Sequence, residues 1–406
     1  MNAVLPGQPA RVLSGMRPTG ALHLGHYHGV LKNWLKLQTQ YECFFFVADW
    51  HALTTHYDES SVLQEHVWDM VTDWLAVGVD PANATLFLQS RLPQHAELHV
   101  LLSMITPLSW LERVPSYKDQ QAQMKDRDLS TYGFLGYPLL QSADILIYRA
   151  GLVPVGEDQV AHVELTREVA RRFNHLYGCE PDYEVHAEKA IQKLGKKNSK
   201  TYRDLRQAYL EQGDKQALLT ARSLLERQKN MTLGDRERLF GYLEGGGRII
   251  LPEPEALLTQ APKMPGLDGR KMSKSYHNTI GLREDPAEVE KKLKTMPTDP
   301  ARVRRTDPGN PEKCPVWEFH RVYSSDDTRR WADQGCRSAG IGCLECKQPV
   351  IEAVLAELKP IQERAAELAR DPVTIRNIVE DGCKRAGDVA EKTLADVRNA
   401  MGLGYS

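Results

Sequence analysis

A strand, a tight turn and a helix start, set in succession between Arg11 and Leu35, constrain this chain more than any other stretch. Arg11-Val12-Leu13-Ser14 is strand-like, Gly15-Met16-Arg17-Pro18-Thr19-Gly20 turns, and a helical spacing then runs through Val30, Leu31, Trp34 and Leu35. His23-Leu24-Gly25-His26 sits where the helix begins. A helix that opens at the end of a strand belongs to a layered α/β unit. Its free N–H groups and its dipole favour an anion. Two imidazoles and a bare glycine at that point describe a phosphate-handling device.

A second string of the same kind, Lys271-Met272-Ser273-Lys274-Ser275, follows Pro265-Gly266-Leu267-Asp268-Gly269. That much Gly and Pro predicts a mobile loop, here bearing two ammonium groups and two hydroxyls. The pair suits attack on the α-phosphate of ATP with pyrophosphate leaving. Charge gathers on phosphate oxygens in that reaction, so positioned donors and cations matter more than a nucleophilic side chain. In this reading His23 and His26 donate to the phosphates and Gly25 lets the adenine approach the backbone. Lys271 and Lys274 close over the β- and γ-phosphates. Each string alone is ordinary, a capped helix start or a solvated loop; their conjunction is not.

Further apolar runs, Cys43 to Ala48 and Thr85 to Gln89, read as buried strands, and Ile145-Leu146-Ile147-Tyr148 reads as another. Helical patterns lie between them, over Val62 to Val77 and Leu98 to Leu111. This order implies a parallel sheet covered by helices, with ligands at the carboxyl ends of the strands. No Gly-x-Gly-x-x-Gly follows the first strand and no Gly-x-x-x-x-Gly-Lys-Ser/Thr occurs, which argues against a nicotinamide enzyme and a P-loop ATPase. The 406 residues are 41% apolar and 26% charged, enough for two or three domains with a sizeable core. Net charge is −2, so nucleic acid must be met by local basic patches. No membrane segment or secretory leader is legible, and seven cysteines are an odd count, so a reducing, cytoplasmic setting is expected.

The texture changes after Gly178. Residues 179–247 are charged and helix-prone and end in Gly245-Gly246-Gly247, an extra helical insertion that is either decorative or a contact to a large partner. The catalytic domain thus runs over 1–178, with a helical segment between its halves, and resumes over 248–284 with the lysine loop. From 285 to 406 the pattern is helical, as in Val350, Val354, Leu355, Leu358 and Ile361. Four cysteines stand in this last part: Cys314, Cys336, Cys343 and Cys346, spaced x21, x6 and x2. The closing Cys-x-x-Cys with two more cysteines in reach is a four-thiolate site, and coordination chemistry admits tetrahedral zinc and an iron–sulfur cluster equally.

With Ala143-Asp144-Ile145-Leu146 and Val153-Pro154-Val155-Gly156-Glu157-Asp158-Gln159 added to these strings, the chain resembles the bacterial tryptophanyl-tRNA synthetases, class I enzymes. The resemblance covers nearly everything except about 179–247. It implies a Rossmann-like catalytic domain carrying the HIGH and KMSKS motifs and an all-helical anticodon-binding domain. It implies that L-tryptophan attacks ATP-Mg2+ and that the adenylate then passes to tRNA(Trp), in a homodimer. The substrate carboxylate is the nucleophile, which accounts for the lack of a Ser/His or Cys/His arrangement.

Onto this sequence the resemblance carries Asp144 as acceptor of the indole N–H, beside the apolar strand. Tyr137 and Gln141 face the same pocket one helical turn earlier, Gln159 reaches the amino group, and Val153 and Val155 are apolar walls, with His51 near a strand end. Pro18, Thr19, Gly156, Glu157, Asp158, Met272 and Ser273 join the ATP site, Asp158 suiting the ribose hydroxyls, and Lys118 matches a lysine near the triphosphate. Two residues depart from many relatives: His26 stands where Asn is common, and Arg17 where Gln is, its guanidinium suiting either the substrate carboxylate or a phosphate. The cysteine set resembles that of an iron–sulfur subset holding a [4Fe–4S] cluster, with the first spacing one residue shorter; structural Zn2+ is the alternative. Cys43, Cys179 and Cys383 remain as plain thiols, and Arg302-Val303-Arg304-Arg305 reads as a patch for tRNA phosphates. Competing readings are a tyrosine enzyme, a nucleotidyltransferase that uses no tRNA, and an inactive synthetase-like binding protein.

Overall fold

The computed structural model describes residues 10–58, 60–115, 130–178, 182–228, 231–244, 249–258 and 264–405. Five parallel strands form one sheet: β1 (Arg11–Met16), β2 (Glu42–Val47), β3 (Ala84–Leu88), β4 (Leu152–Val155) and β5 (Glu255–Leu258), in the order β3-β2-β1-β4-β5. The order reverses beside β1, so the crevice outside its carboxyl end is where such a sheet takes a ligand. β1 and β2 pair in full register from Arg11↔Glu42 to Met16↔Val47. Phe44, Phe45 and Phe46 are all buried, as strands covered on both faces require.

Two expectations are corrected. Ile145 to Tyr148 is no strand: Tyr132–Ile147 is a single helix, and Asp144 lies on it. Short apolar runs do not separate strand from buried helix. Val153-Pro154-Val155 forms the last three residues of β4, and β5 carries no strong sequence signal. The pattern from Leu98 to Leu111 is also two helices, Gln94–Ser103 and Leu108–Glu112, parted before Pro107.

Within 179–247 the described residues form four helices, Tyr183–Gln192, Lys196–Gln212, Lys215–Glu226 and Leu233–Leu243, around their own core of Ile191, Tyr202, Leu225, Leu239 and Phe240. The helices beyond residue 285 differ in this respect. Val316, Phe319, Val350, Val354, Leu358 and Ile361 belong to the same apolar cluster as Val12, Leu31, Trp34 and Val47 of the sheet layer. The final helix, Pro372–Ala400, spans both sides: Ile375 and Val379 enter that cluster, whereas Ala386, Ala390, Leu394 and Val397 enter the cluster on the other side. Where it crosses from one to the other, Gly382 lies against edge strand β3; a Cβ there would sit 1.8 Å from the Leu86 carbonyl oxygen. Arg385 donates to the Pro81 carbonyl beside it (3.0 Å). An edge strand left open is a template for unwanted pairing, and this helix covers it.

Candidate active site

The first string caps its own helix. His23 Nδ1 accepts from Gly25 N (3.1 Å) and His26 Nδ1 accepts from His23 N (3.2 Å), with the two rings 3.8 Å apart. Because both Nδ1 atoms accept, each neutral ring carries its proton on Nε2, where it is a donor. Burial, with the Lys274 charge adding to it, lowers the His23 pKa to about 4. Burial and the charges of His23, Lys274 and Lys271 depress His26 as well. Both therefore act as N–H donors at neutral pH. A Cβ on Gly25 would meet the His23 ring at 2.8 Å, so glycine is required there. The helix begins as a single α turn, Leu24–His26, passes through a π turn, Tyr27–Leu31, and continues as Lys32–Leu37. The sequence showed no sign of the π turn, a feature frequent at functional sites.

The lysine loop is seated on this motif. Leu24 N donates to Ile280 O (3.0 Å) and Leu282 N to Leu22 O (3.0 Å), with His23 and Gly281 paired antiparallel. Lys274 Nζ donates to Thr19 O (3.1 Å), and Met272, buried, packs its Cβ toward Gly25. Burial brings the Lys274 pKa down to about 8, partly offset by Asp73. Lys271 is exposed at the rim. The expected mobility meets a specific restraint, the buried side chain of Asn278. It accepts from Ser273 N (2.8 Å) and donates to Asp268 (2.7 Å) and to Lys271 O (3.3 Å). Asp73, also buried, ties both strings: it accepts from Leu22 N (3.3 Å) and pairs with Arg283 (2.7 Å). Neither residue was singled out from sequence: Asp73 has partners far along the chain, and the bonds Asn278 makes within its own loop follow no helix or strand period.

Arg17 stands in the cleft beside these groups, reached by solvent yet crowded enough that burial lowers its pKa, with Tyr137 acting on it. Pro18 is buried and Thr19 exposed. Gly156 opens a short 3-10 turn, Glu157–Gln159, at the carboxyl end of β4; Gln159 donates to Asp158 (3.3 Å). Val153 and Val155 are buried in the cluster with Leu139 and Ala143. Lys118 lies outside the described residues.

Tyr137, Gln141 and Asp144 share one face of the Tyr132–Ile147 helix, as their spacing required. Tyr137 meets His162 (3.2 Å). Asp144 is 1% exposed and its carboxylate is heavily bonded. Gln89 Nε2 donates to Oδ1 (2.8 Å), His95 Nδ1 lies 2.6 Å from the same oxygen, and His51 Nε2 lies 2.7 Å from Oδ2. Burial opposes the charge, but His51 and His95 outweigh it and hold the carboxyl well below the usual carboxylate range. Of these partners only His51 was anticipated. Gln89 and His95 were missed, because they come from the turn after β3 and the helix that follows it.

The four cysteines meet at the junction of three helices. Cys314 precedes Pro315–Tyr323, Cys336 closes Asp326–Arg337, and Cys343 and Cys346 occupy the first turn of Cys343–Leu368. Burial raises the Cys346 thiol to about 12, and the other three cysteines act on it in the same direction. Arg302 and Lys347, both buried, flank them. Arg302 donates to Arg305 O (3.0 Å) and Ile341 O (2.5 Å) and approaches Cys336 Sγ (3.9 Å), while its Nε has no partner among the described residues. Lys347 donates to Lys294 O and Met296 O, both at 2.6 Å. Neither forms an ion pair with a described carboxylate; Asp299, within reach of Arg302, spends its oxygens on the Ala301 and Asn310 N–H groups. Arg302 is thus no tRNA-facing residue; only Arg304 and Arg305 of that string, with Val303, are exposed. No group of three or more His, Cys, Asp or Glu side chains placed to hold a metal ion occurs among the described residues.

The site's motifs have counterparts in known proteins. A family model described as tRNA synthetases class I (W and Y) matches residues 5–206 and 213–359. The tryptophan–tRNA ligase of Ralstonia nicotianae is 68% identical over 398 residues, spanning 98% of this chain and 100% of the relative. That of Thermotoga maritima is 45% identical over 395 residues, spanning 97% and 99%. A tryptophanyl-tRNA synthetase from Campylobacter jejuni, solved with ADP and tryptophane, superposes with a TM-score of 0.73 at 26% identity, over 97% of this chain and 100% of that one.

Proposed function

The chain belongs to the class I tRNA synthetases of the tryptophan and tyrosine group, and from that premise we infer its chemistry residue by residue. It is an aminoacyl-tRNA ligase: ATP activates L-tryptophan to the adenylate, releasing pyrophosphate, and tRNA(Trp) then takes the amino acid, releasing AMP. One observation carries the residue assignments. Two neutral imidazole donors and the Lys274 ammonium converge at the carboxyl end of β1, and a fully buried, ionised carboxylate lies in the pocket beyond.

In this reading the tryptophan carboxylate attacks the α-phosphate, and the Nε2–H groups of His23 and His26 stabilise the charge that builds there. Lys271 and Lys274 neutralise the β- and γ-phosphates, with Met272 and Ser273 shaping the loop and Lys118 adding a charge to the triphosphate. Mg2+ accompanies ATP as part of the substrate. Gly25, Pro18 and Thr19 bound the adenine side, and Gly156, Glu157 and Asp158 the ribose. Asp144 accepts the indole N–H, Tyr137, Gln141 and His51 complete the pocket, Val153 and Val155 wall it, and Gln159 holds the amino group. Arg17, standing over Tyr137, takes the substrate carboxylate. ATP–pyrophosphate exchange tests this directly. The reading requires exchange with tryptophan and none above background with tyrosine, and the reverse preference would make this the tyrosine enzyme.

Cys314, Cys336, Cys343 and Cys346 would hold a [4Fe–4S] cluster, which would supply a cross-link between the three helices that carry them and negative charge beside Arg302 and Lys347. Two buried cations without carboxylate partners among the described residues, Arg302 and Lys347, suit an anionic four-thiolate centre. The Gly309 backbone, where a Cβ would lie 2.5 Å from Cys336 Sγ, suits close approach to it. Anaerobic purification should give a brown protein with iron and sulfide in about a 1:1 ratio; a colourless protein with stoichiometric zinc replaces the cluster with Zn2+. The helices of 285–406 form the anticodon-binding part, 1–178 and 248–284 the catalytic part, and 179–247 an appended module. A cytoplasmic homodimer rests on kinship alone. No helix among the described residues is long and apolar enough to cross a membrane.

A further inference from the structure

The carboxylate of Asp144 has about four acceptor positions. Oδ1 receives Gln89 and His95, and Oδ2 receives His51. Among the described residues one position therefore remains, on Oδ2. What fixes the carboxylate in that orientation is a second, wholly buried layer. His95 is 0% exposed, and its Nε2 lies 2.7 Å from the hydroxyl of Tyr148, also 0% exposed. A carboxylate only accepts, so His95 must carry a proton on Nδ1 to bond Asp144. With that proton in place, Nε2 accepts from the Tyr148 O–H. Burial pushes the Tyr148 hydroxyl well above its ordinary range, and Asp144 adds to this, so it keeps its proton.

The layer is rigid. The Tyr148 ring stacks on Phe44 (centroids 4.9 Å apart, planes at 22°), and the His95 ring is bounded by Phe46 and Phe87 at 6.1 Å each. Arg11 Nη1 donates to the Tyr148 carbonyl (3.2 Å), which ties the unit to β1. His95 is thus held in one orientation between two oxygens, Asp144 Oδ1 and the Tyr148 hydroxyl.

We propose that His95, its tautomer fixed by Asp144 and its ring anchored by Tyr148, is a positioning residue for amino-acid selection: by occupying Oδ1 it leaves Asp144 a single acceptor open among the described residues, on Oδ2, for the ring N–H of the substrate. The proposal deepens the reading of Asp144 as the indole acceptor and rests on it. Neither His95 nor Tyr148 touches substrate. Their effect is to make a ring without an N–H leave a buried carboxylate position unmet, the condition under which a site rejects such an analogue by about 10⁴-fold or more.

The test is ATP–pyrophosphate exchange with L-tryptophan and with 3-(3-benzothienyl)alanine, in which sulfur replaces the N–H at nearly unchanged shape. The quantity read is the ratio of the two kcat/KM values. In His95→Leu the ratio should collapse by at least about 100-fold. His95→Asn, whose side-chain amide overlays Nδ1–H, should keep it within about tenfold of the native ratio. Tyr148→Phe, which removes the second anchor of the His95 ring at Nε2, should lower it by roughly 3–10-fold. A His95→Leu enzyme that is slower with both substrates but keeps the native ratio overturns the proposal, as does an Asn variant that loses as much as the Leu variant. Should His95→Leu fail to fold, an unchanged ratio in Tyr148→Phe overturns it instead. Asp144→Asn separates the underlying reading: if that variant still prefers tryptophan as strongly as native enzyme, Asp144 is not the indole acceptor, whatever His95 does.

Discussion

Replacing Gly382 by Ala adds one methyl group where the final helix crosses the edge of the sheet. Its carbon would stand 1.8 Å from the Leu86 oxygen and 2.7 Å from the Leu86 carbonyl carbon. Ordinary contact needs the helix or β3 to withdraw by about 1.6 Å, and both obstacles are backbone, so no rotamer change relieves them. In an open helix the same change gains roughly 0.5–1 kcal/mol. Overpacking of a site that cannot yield costs about 3 kcal/mol, which leaves a net loss of about 2 kcal/mol. Gly234, in the helix Leu233–Leu243 with nothing near its would-be Cβ, is the control: Ala there should be neutral or stabilising. Urea unfolding followed by far-ultraviolet dichroism, with native, Gly382→Ala and Gly234→Ala proteins side by side, reads both. Equal midpoints for Gly382→Ala and native protein would mean that the helix does not rest on β3 as described, and the argument from close approach would be wrong.

Lys274 loses its charge near pH 8 in the free enzyme because burial disfavours the ammonium. The kcat/KM for ATP, which reports free-enzyme ionisation, should therefore fall as pH rises through about 8, and Lys274→Arg should remove that alkaline limb; a profile flat to pH 9.5 in native enzyme would contradict the assignment. Glu357, on the Cys343–Leu368 helix, accepts from Lys32 (2.6 Å) and Tyr323 (2.8 Å) and meets His28 at 2.8 Å, just past the first motif. Burial works against its charge, but His28, Lys32 and Tyr323 hold the carboxyl well below its usual range. Glu357→Gln should cost roughly 1–2 kcal/mol in urea unfolding and raise KM for ATP, since it loosens the helix that carries His23 and His26; an unchanged midpoint would show the clasp to be idle. Cys343→Ser should reduce tRNA charging more than tryptophan-dependent exchange, and equal loss of both would argue against a supporting role for the thiolate centre at the anticodon site.

Those residues whose roles depend on local spacing were legible before any coordinates. His23, Gly25 and His26 form one capped turn, Tyr137, Gln141 and Asp144 one helical face, and the Cys-x-x-Cys one helix start. Gln89, His95 and Asp73 were not, because each meets a partner elsewhere in the fold, 55 positions away for Gln89 and 49 for His95; Asn278 was not because its bonds, though local, follow no helix or strand period. The sheet was misjudged at two places for different reasons. Ile145 to Tyr148 is apolar on every side because the helix that carries it is buried, which hides the 3.6-residue period. Val153-Pro154-Val155 drew no strand expectation because proline is unusual inside a sheet. The helical pattern beyond residue 285 was visible in the sequence. That its helices share one apolar cluster with the sheet was not, since nothing in an amphipathic pattern names the surface it will cover.

The reach of the final helix has a consequence for how the molecule is made. Arg385 and Pro81, which meet at the free edge of β3, are 304 positions apart. At about 5–20 residues per second of synthesis, β3 is exposed for roughly 15–60 s before its cover exists. Through that interval the nascent chain presents an open, apolar strand edge, and its two half-cores lack the helix that completes both. The catalytic sheet therefore matures last-in, first-needed: the strands that position ATP are finished early, and the element that protects them is translated at the close. Dependence on holding chaperones during synthesis, and aggregation when the last helix is weakened, both follow from that order of events.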